Sequence, residues 1–281
     1  MRPLPGENRT SGISLDDFQQ KIRGAYREHY RPMEWRDDPS PYKVFVSEVM
    51  LQQTQVARVR SRFSIFTDRF GSFEQLAIAT FSDVLEVWSG LGYNRRAWRL
   101  LESARIIVEH HRGVVPRDPE RLLELPGIGT ATAGSIAAFA YNVPAVFVET
   151  NIRRVFLHHF FPKMDSVHDR DILPLVDATL DRSNPREWYW ALMDYGAALV
   201  GHGTNANQRS VHYTVQPPFE GSDRQLRGII LRELTGGAAF AAEAPPEYSG
   251  FDSERVQRVI RAMEREGLLI RTAAGAVMLS E

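Results

Sequence analysis

Residues 125–134, LPGIGTATAG, join two segments whose apolar residues recur at helical spacing, RDPERLLEL before them and TATAGSIAAFAY after them. The glycines at 127 and 129 flank one apolar residue, Ile128, and leave the backbone bare on both sides of it. The first N–H groups of the second helix have no partner inside that helix and therefore attract an anion. This turn is thus either a phosphate-binding hairpin or a plain tight turn between two packed helices.

Helical spacing of apolar residues dominates the remainder of the chain up to about residue 201. Ser14 fits the N-cap of an amphipathic helix over 15–30, and the long apolar stretch 42–70 predicts two helices. The polar residues 1–13 predict a flexible arm, and the polar, proline-bearing residues 206–221 predict a linker.

Residues 222–281 follow a different pattern, with two helical segments and then GLLIRTAAGAVMLS, which predicts two short strands joined at Ala-Ala-Gly. Asp252 or Ser253 is the expected N-cap of the second helix. This order predicts a small winged-helix-like α+β module. Four arginines lie near one face of its second helix and either contact phosphates or form a solvated surface offset by neighbouring glutamates: Arg255, Arg258, Arg261 and Arg265.

Composition narrows the classes of protein that this chain can belong to. Its 281 residues carry a net charge of -1 and contain no cysteine, which excludes disulfides, thiolate zinc sites and cysteine-held iron–sulfur clusters. The sequence has no run of about 18 apolar residues, so we expect no membrane span. Because the total charge is balanced, nucleic-acid binding would depend on local clusters of basic residues.

Four motifs follow one another along the chain: EWRDDPSPYKVFVSEVMLQQTQVARV (34–59), WSGLGYNRRAWRL (88–100), LPGIGTATAG (125–134) and ETNIRRV (149–155). This series resembles the helix-hairpin-helix DNA glycosylases (HhH-GPD superfamily), and among them most closely the MutY-like adenine DNA glycosylases. The resemblance covers about residues 20–200 and implies an all-α, two-lobed fold. One lobe combines 14–41 with 149–205, and the other, 42–148, is a six-helix barrel containing the hairpin.

The resemblance also implies the catalytic residues. Glu48 matches the acid that protonates the departing adenine, although a partly exposed glutamate in a helix is the alternative. Glu149 stands where the superfamily has a catalytic aspartate, and Thr150 replaces the glycine usual in MutY. Alternatively, the negative charge of Glu149 only complements the dipole of the following helix. Asn151 matches a residue that hydrogen-bonds beside that carboxylate, or else caps the helix.

A base that is to be excised must leave the stack, so side chains are expected to fill the gap. Gln52, Gln53 and Tyr93 match the family's wedge and strand-probing positions, whereas LQQT could also be the polar side of a helix. Clusters of arginines nearby can serve phosphates: Arg95, Arg96 and Arg99, and Arg153 and Arg154. The predicted DNA contacts are Gln52, Gln53, Thr54, Tyr93, Arg95, Arg96, Gly127, Ile128, Gly129, Thr130, Ala131 and Thr132.

The residue after Thr130 determines the reaction type that the resemblance implies. Enzymes like endonuclease III carry a lysine at this position, which attacks the sugar and later breaks the strand. This chain has Ala131 and therefore no amine for a Schiff base. A monofunctional glycosylase is expected, in which water is the nucleophile.

Two departures from MutY concern cofactors and the C-terminal part. The four cysteines that hold the family's iron–sulfur cluster are missing, so we expect no metal site and no cofactor, although the hairpin could hold a monovalent cation. The C-terminal 60 residues resemble a winged helix rather than MutY's usual partner domain. We expect a monomer that acts on double-stranded DNA, with no membrane partner, in the nucleoid region of the cytoplasm.

The sequence therefore predicts a monofunctional DNA glycosylase of base excision repair, with adenine in mispairs as the expected target. One alternative is excision of uracil, thymine or another damaged base. The other alternative is a non-catalytic DNA-binding protein that kept the hairpin, and carboxylates at both Glu48 and Glu149 argue against it.

Overall fold

The computed structural model describes residues 13–201, 205–241 and 245–281, so the predicted arm lies outside the described residues except for Ile13. The chain divides into two units. The first comprises the described residues within Met1–Phe45, Pro116–Glu124 and Ile128–Val215, and the second comprises those within Val46–Val115, Leu125–Gly127 and Gln216–Glu281. The lobe boundaries given above remain a prediction.

Helices make up most of the described residues, and the predicted helical fold with a small C-terminal α+β part is confirmed. None of the described helices is both long enough and apolar enough to cross a membrane. A 3-10 helix spans Ala206–Arg209, and the α-helices are α1 (Leu15–His29), α2 (Glu34–Asp37), α3 (Pro41–Leu51), α4 (Val56–Arg69), α5 (Phe73–Ala77), α6 (Phe81–Trp88), α7 (Arg95–His111), α8 (Pro119–Leu122), α9 (Thr130–Tyr141), α10 (Thr150–Phe160), α11 (Asp169–Thr179), α12 (Pro185–Gly201), α13 (Asp223–Leu234) and α14 (Ser253–Arg265).

Several helix ends follow from side chains that the sequence places there. Ser14 accepts from the backbone N–H of Asp17 at the start of α1, and Asp252 caps α14 by accepting from the N–H of Arg255. Each cap satisfies an N–H that the first turn leaves without a helical partner. Both predicted caps, with Asp252 rather than Ser253 in the second, are confirmed.

The core of the first unit is aromatic and lies where α1, α10 and α12 pack together. Phe18 is fully buried, and its ring centroid lies 5.2 Å from that of Phe156 and 4.9 Å from that of Phe160. Gly134 in α9 allows Phe147 to approach closely, because a Cβ there would lie 2.7 Å from Phe147 Cδ1. This packing fixes the start of α10, where the candidate catalytic residues lie.

A buried ion cluster joins α12 to the segment around α2. The carboxylate of Asp194, fully buried, accepts from Arg36 Nη1 at 2.7 Å and from Arg31 Nε at 2.6 Å. The Arg36 guanidinium is almost fully buried as well. Neither charge could lie in this core without the other, because an unpaired buried ion is strongly disfavoured.

In the second unit, the C-terminal residues form a three-stranded antiparallel sheet of order β1-β3-β2: β1 is Phe240–Ala241, β2 is Leu269–Arg271 and β3 is Ala276–Leu279. The two predicted strands are confirmed as β2 and β3. The sequence did not predict β1, because two residues are too few for a periodic pattern. Gly267 lets the chain pass close to α7, since a Cβ there would lie 3.3 Å from Trp98 Nε1.

Candidate active site

Glu149 is the N-cap of α10 and is held by the backbone that it caps. Its Oε1 accepts from the N–H of Asn151 at 2.7 Å and from the N–H of Ile152 at 2.8 Å. These are two of the N–H groups that a helix leaves open at its start, and the helix dipole adds to their effect on a negative charge. The cap fixes the position of the carboxylate relative to the helix.

A chain of hydrogen bonds orients the same carboxylate from its other side. Asn151 Nδ2 donates to Glu149 Oε2 at 3.2 Å, and Arg154 Nη1 donates to Asn151 Oδ1 at 2.8 Å. Arg154 Nη1 also donates to the backbone oxygen of Gly196 at 2.8 Å. Since the guanidinium only donates, it sets the orientation of the Asn151 amide and directs its N–H toward Glu149.

The hydrogen bonds that begin at Glu149 end at Gly196 on α12. A Cβ at this position would lie 2.5 Å from the backbone oxygen of Asn151, a distance that real Cβ atoms do not reach. Glycine therefore allows α12 to lie directly against the start of α10. The close approach brings the Gly196 carbonyl within reach of Arg154.

The electrostatic environment of Glu149 combines opposing effects. Burial raises the pKa of its carboxyl above the ordinary range, and the N–H groups of Ile152 and Asn151 and the charges of Arg153 and Arg154 counter this rise only in part. Arg153 is itself paired with Asp169, with two bonds of 2.7 Å. The result is a half-buried carboxylate that several donors hold in place, as expected of a group that acts on a developing charge.

The turn before α9 contains the two glycines of the hairpin motif, and one of them has a left-handed backbone. Gly127 adopts a φ of +80°, and Gly129, whose backbone is extended, is the N-cap of α9. Gln52 Nε2 donates to Gly127 O at 3.1 Å. Ile128 is buried and anchors the turn, whereas Gly129 and Thr130 are exposed. Ala131 and Thr132 follow, partly exposed, in the first turn of α9.

Arg96 joins the two other loops predicted to contact DNA. Its Nη1 donates to the carbonyls of Val49, Met50 and Gln52, and its Nη2 donates to Thr54 Oγ1 at 2.8 Å and to Gly92 O at 3.1 Å. Burial lowers the pKa of Arg96 to about 10, so it stays charged at neutral pH. The structure thus places this predicted DNA contact inside the protein, where it holds the end of α3 against the start of α7.

The other predicted site residues of the second unit lie around these loops. Gln53 is exposed at the end of α3 and adopts a left-handed φ of 54°. Glu48 lies on α3, half-buried, between the buried residues Ser47 and Val49. Arg95, at the first position of α7, is exposed and lies 3.7 Å from Glu266 of the C-terminal part.

Comparisons with known proteins decide the family. A family model for "HhH-GPD superfamily base excision DNA repair protein" matches residues 46–182. The adenine DNA glycosylase of Mycobacterium tuberculosis is 32% identical over 275 residues, covering 90% of this chain and 90% of that protein. This chain belongs to the HhH-GPD superfamily. The human adenine DNA glycosylase is 34% identical over 194 residues, which cover 65% of this chain and 36% of that protein.

Solved structures show that the fold of this HhH-GPD protein is shared as well. A thermostable thymine-DNA glycosylase superposes with a TM-score of 0.60 at 24% identity, over 65% of this chain and 86% of that one. Endonuclease III in a non-covalent complex with DNA gives a TM-score of 0.57 at 17% identity, over 74% and 91% of the two chains. At these identities the likeness concerns the fold alone.

The residues of this HhH-GPD protein do not fit an iron–sulfur cluster. The chain has no cysteine, and the described residues contain no group of three or more His, Asp or Glu side chains that could hold a metal ion. Two histidines stand in the segment that follows α12, where the family has its cysteines. His202 lies outside the described residues, and His212 Nε2 lies 3.8 Å from Asp169 Oδ2.

Hydrogen bonds fasten the segment after α12 onto α10. Asn207 Nδ2 donates to Thr150 O at 3.1 Å, and Arg209 Nη2 donates to Leu157 O at 3.0 Å. The N–H of Val167 donates to Arg209 O at 2.8 Å. The first residues of the predicted linker are thus a folded part of the first unit.

The arginine face of α14 is partly neutralised inside the C-terminal part. Arg255 and Arg258 both bond to Asp223, at 2.8 Å and 3.0 Å, whereas Arg261 and Arg265 are exposed. Pairing of the first two arginines leaves the helix a smaller basic surface than the sequence predicts. Contact of this face with phosphates remains a prediction.

Sequence reasoning missed the two residues that orient Asn151. Arg154 is expected, with the other arginines near the predicted wedge, to serve phosphates, but it is buried and its guanidinium bonds to Asn151 and Gly196. Gly196 lies in none of the four motifs. A glycine in the middle of the apolar helix α12 was the available signal, because such a glycine usually marks a close approach of two backbones.

Proposed function

We propose that this protein is a monofunctional DNA glycosylase that removes adenine from mispairs in double-stranded DNA. The observation that carries the proposal is the carboxylate of Glu149, oriented by three N–H donors in an HhH-GPD protein. The relatives that match along 90% of this chain are adenine DNA glycosylases, which supports adenine as the base.

Glu149 acts on the sugar in this proposal. When the bond between base and sugar breaks, positive charge develops on the sugar, as in glycoside hydrolysis. A carboxylate that is half-buried and fixed by its donors lowers the energy of that charge more than a freely moving, fully solvated carboxylate does. Because its donors already orient Glu149, no reorganisation is needed as the charge forms.

Glu48 acts on the base. A purine leaves more readily when one of its ring nitrogens has been protonated, and a half-buried glutamic acid on a rigid helix is suited to donate that proton. This step favours adenine over a pyrimidine as the departing base.

Ala131 accounts for the proposed lack of strand cleavage. Its methyl group offers no nucleophile at the start of α9, so no covalent link to the sugar forms through this position. Water completes the reaction, and the product is an intact strand with an abasic site.

DNA is held by the protein's loops in this proposal. The backbone N–H groups at the start of α9 bind a phosphate, and Gly129 and Thr130 lie exposed there. Gln52, Gln53 and Tyr93 enter the stack from which the adenine is removed.

A panel of duplexes tests the function. Each duplex carries one lesion or mispair: adenine opposite 8-oxoguanine, guanine or cytosine, and uracil or thymine opposite guanine. Strands are analysed with and without hot alkali, and borohydride is added to trap any Schiff base. We expect alkali-dependent cleavage at adenine only, and none with Glu149→Gln. Cleavage at uracil or thymine alone would contradict the choice of base, and strand breaks without alkali or a trapped adduct would contradict the monofunctional reaction.

A further inference from the structure

Tyr93 lies in a turn whose backbone is strained. The turn between α6 and α7 has left-handed φ values at Gly90 (90°), at Gly92 (69°) and at Tyr93 itself (47°). Glycine adopts this region readily, but a tyrosine there needs support from its surroundings. The contacts of Tyr93 with the same unit show where that support comes from.

One support is Arg96, described above as the link between the two loops. Its guanidinium carbon lies 5.5 Å from the centroid of the Tyr93 ring and 5.4 Å from that of Trp88. Since Arg96 is buried and bonded to several carbonyls, it provides a fixed cationic surface for one side of the ring.

The other support comes from the C-terminal part of the chain. Arg224 Nη1 donates to Tyr93 Oη at 3.0 Å, and its guanidinium carbon lies 5.8 Å from the ring centroid. Gln216 Nε2 donates to the same oxygen. We call Gln216 and Arg224 the tyrosine clasp.

The tyrosine clasp is itself fixed by the backbone. Arg224 Nη2 donates to Pro217 O at 2.6 Å and to Pro218 O at 3.3 Å, and Gln216 directly precedes these prolines. Proline restricts φ, so this short segment presents its carbonyls with little freedom. The planar, forked donor of arginine can bond the phenol and the carbonyls at once, which the ammonium of lysine cannot do in the same geometry.

A second contact connects the same regions beside the clasp. Glu266 lies 3.7 Å from Arg95 and forms an ion pair with Arg227 on α13. Two residues predicted to contact DNA therefore interact with side chains from beyond residue 215: Tyr93 by hydrogen bonds and Arg95 by an ion pair.

We infer that Arg224, with Gln216, is a positioning residue that holds Tyr93 in the orientation in which it enters the base stack. The inference rests on the proposed function, because that proposal gives Tyr93 its role. It assigns the C-terminal part a share in recognising the mispair, in addition to any attraction of phosphates. Without the clasp, the phenol loses both donors and the ring turns about its side-chain bonds.

The test compares Arg224→Ala and Arg224→Lys with Arg232→Ala, a matched control at an exposed position of α13. Single-turnover removal of adenine opposite 8-oxoguanine is measured at saturating enzyme, together with Kd for a duplex carrying a stable abasic analogue and the thermal midpoint of each variant. We expect Arg224→Ala to slow removal about tenfold. Arg224→Lys should bind the duplex with the Kd of the wild type but remove adenine as slowly as Arg224→Ala, since lysine keeps the charge and not the forked donor.

A double-mutant cycle with Tyr93→Phe shows whether Arg224 acts through the phenol. In the Tyr93→Phe background, Arg224→Ala should change the rate by less than about twofold, because the hydrogen bond to the phenol is already lost and only the weaker contact with the ring remains. Additive effects, or full recovery of rate by Arg224→Lys, would overturn the inference. So would a rate and Kd of Arg224→Ala that equal those of Arg232→Ala.

The design separates this inference from the proposed function. If the wild-type protein removes adenine and the cycle shows no coupling, only the inference fails. If the wild-type protein removes no base from any duplex, the proposed function fails. The coupling between Arg224 and Tyr93 is then read from the four Kd values for the abasic duplex, and its absence there would overturn the inference as well.

Discussion

Asn151 donates to both oxygens of Glu149, through its backbone N–H to Oε1 at 2.7 Å and through its side-chain amide to Oε2 at 3.2 Å. One residue thereby fixes the rotation of the carboxylate as well as its position. A glutamate has one more rotatable bond than the aspartate that this superfamily usually has here, and the second donor offsets that freedom. The longer side chain and its orienting partner therefore form one arrangement.

Replacing Glu149 tests the charge of this arrangement. Glu149→Gln keeps the shape but removes the charge, so we expect the single-turnover rate of base removal to fall roughly a hundredfold or more. DNA affinity should change little, because it depends on the hairpin and on basic residues. Both are measured on one duplex, the rate by quench and the Kd by titration. A wild-type rate for Glu149→Gln would show that Glu149 is only a helix cap.

The length of the side chain at 149 is tested by Glu149→Asp. Aspartate can cap a helix, but its carboxylate lies one methylene nearer the backbone and farther from the Asn151 amide. We expect this variant to remove base more slowly than wild type, by about tenfold, with an unchanged Kd. Activity equal to that of wild type would mean that the site also accepts the shorter carboxylate of its relatives.

The pH dependence of the rate reports the pKa of Glu149. Because burial raises that pKa above its ordinary value of 4.5, the carboxylate takes up its proton at a higher pH than a solvated glutamate, and the rate should fall there on acidification. Asn151→Ala removes a hydrogen-bond donor to the charged form of Glu149, which raises the pKa of Glu149 further. The fall of the rate on acidification should therefore begin at a still higher pH. Rates measured from pH 4.5 to 8 check both. If the pH at which the rate falls is the same in Asn151→Ala as in the wild type, the titrating group is not Glu149.

The buried ion cluster predicts a large effect on stability. Asp194→Asn leaves Arg31 and Arg36 facing a neutral group, so we expect the free energy of unfolding to fall by about 3–5 kcal/mol. Asp38→Asn is the matched control, because Asp38 pairs with Lys43 at 2.7 Å on the surface, where a pair contributes less than about 1 kcal/mol. Urea unfolding measures both. Equal effects of the two substitutions would argue against a dominant role of the cluster.

His159 predicts a further dependence of stability on pH. Burial, with the nearby charges of His158 and Lys21, lowers the pKa of His159 from 6.5 to about 4. Between these values the unfolded chain binds a proton that the folded protein does not, so the free energy of unfolding decreases as pH falls through this range. His159→Gln should flatten the decrease of the thermal midpoint from pH 7 to 5, whereas His110→Gln, on the surface, should not. Identical slopes would contradict the assignment.

Glu149, Asn151 and the hairpin could be predicted as site residues from the family resemblance, because each lies in a motif whose residues are neighbours in the chain. The bond from Arg154 to the Gly196 carbonyl could not be predicted in this way, since the two residues are 42 positions apart in the sequence. Tyr93 and Arg224 are likewise 131 residues apart in the sequence. The same limit explains why the start of the predicted linker, including Asn207, was not expected to bond to α10. Packing between distant segments, which periodicity does not encode, decides these contacts.

The close approach at Gly196 has a consequence for inherited variation. Every codon change that replaces glycine adds at least a Cβ, and the structure has no room for that atom beside the Asn151 backbone. The effect of such an allele would reach Glu149 through Asn151, although the altered residue lies on a helix outside all four motifs. A mutator phenotype in a strain that depends on this gene could therefore map to a glycine that an inspection of the recognisable motifs would pass as harmless.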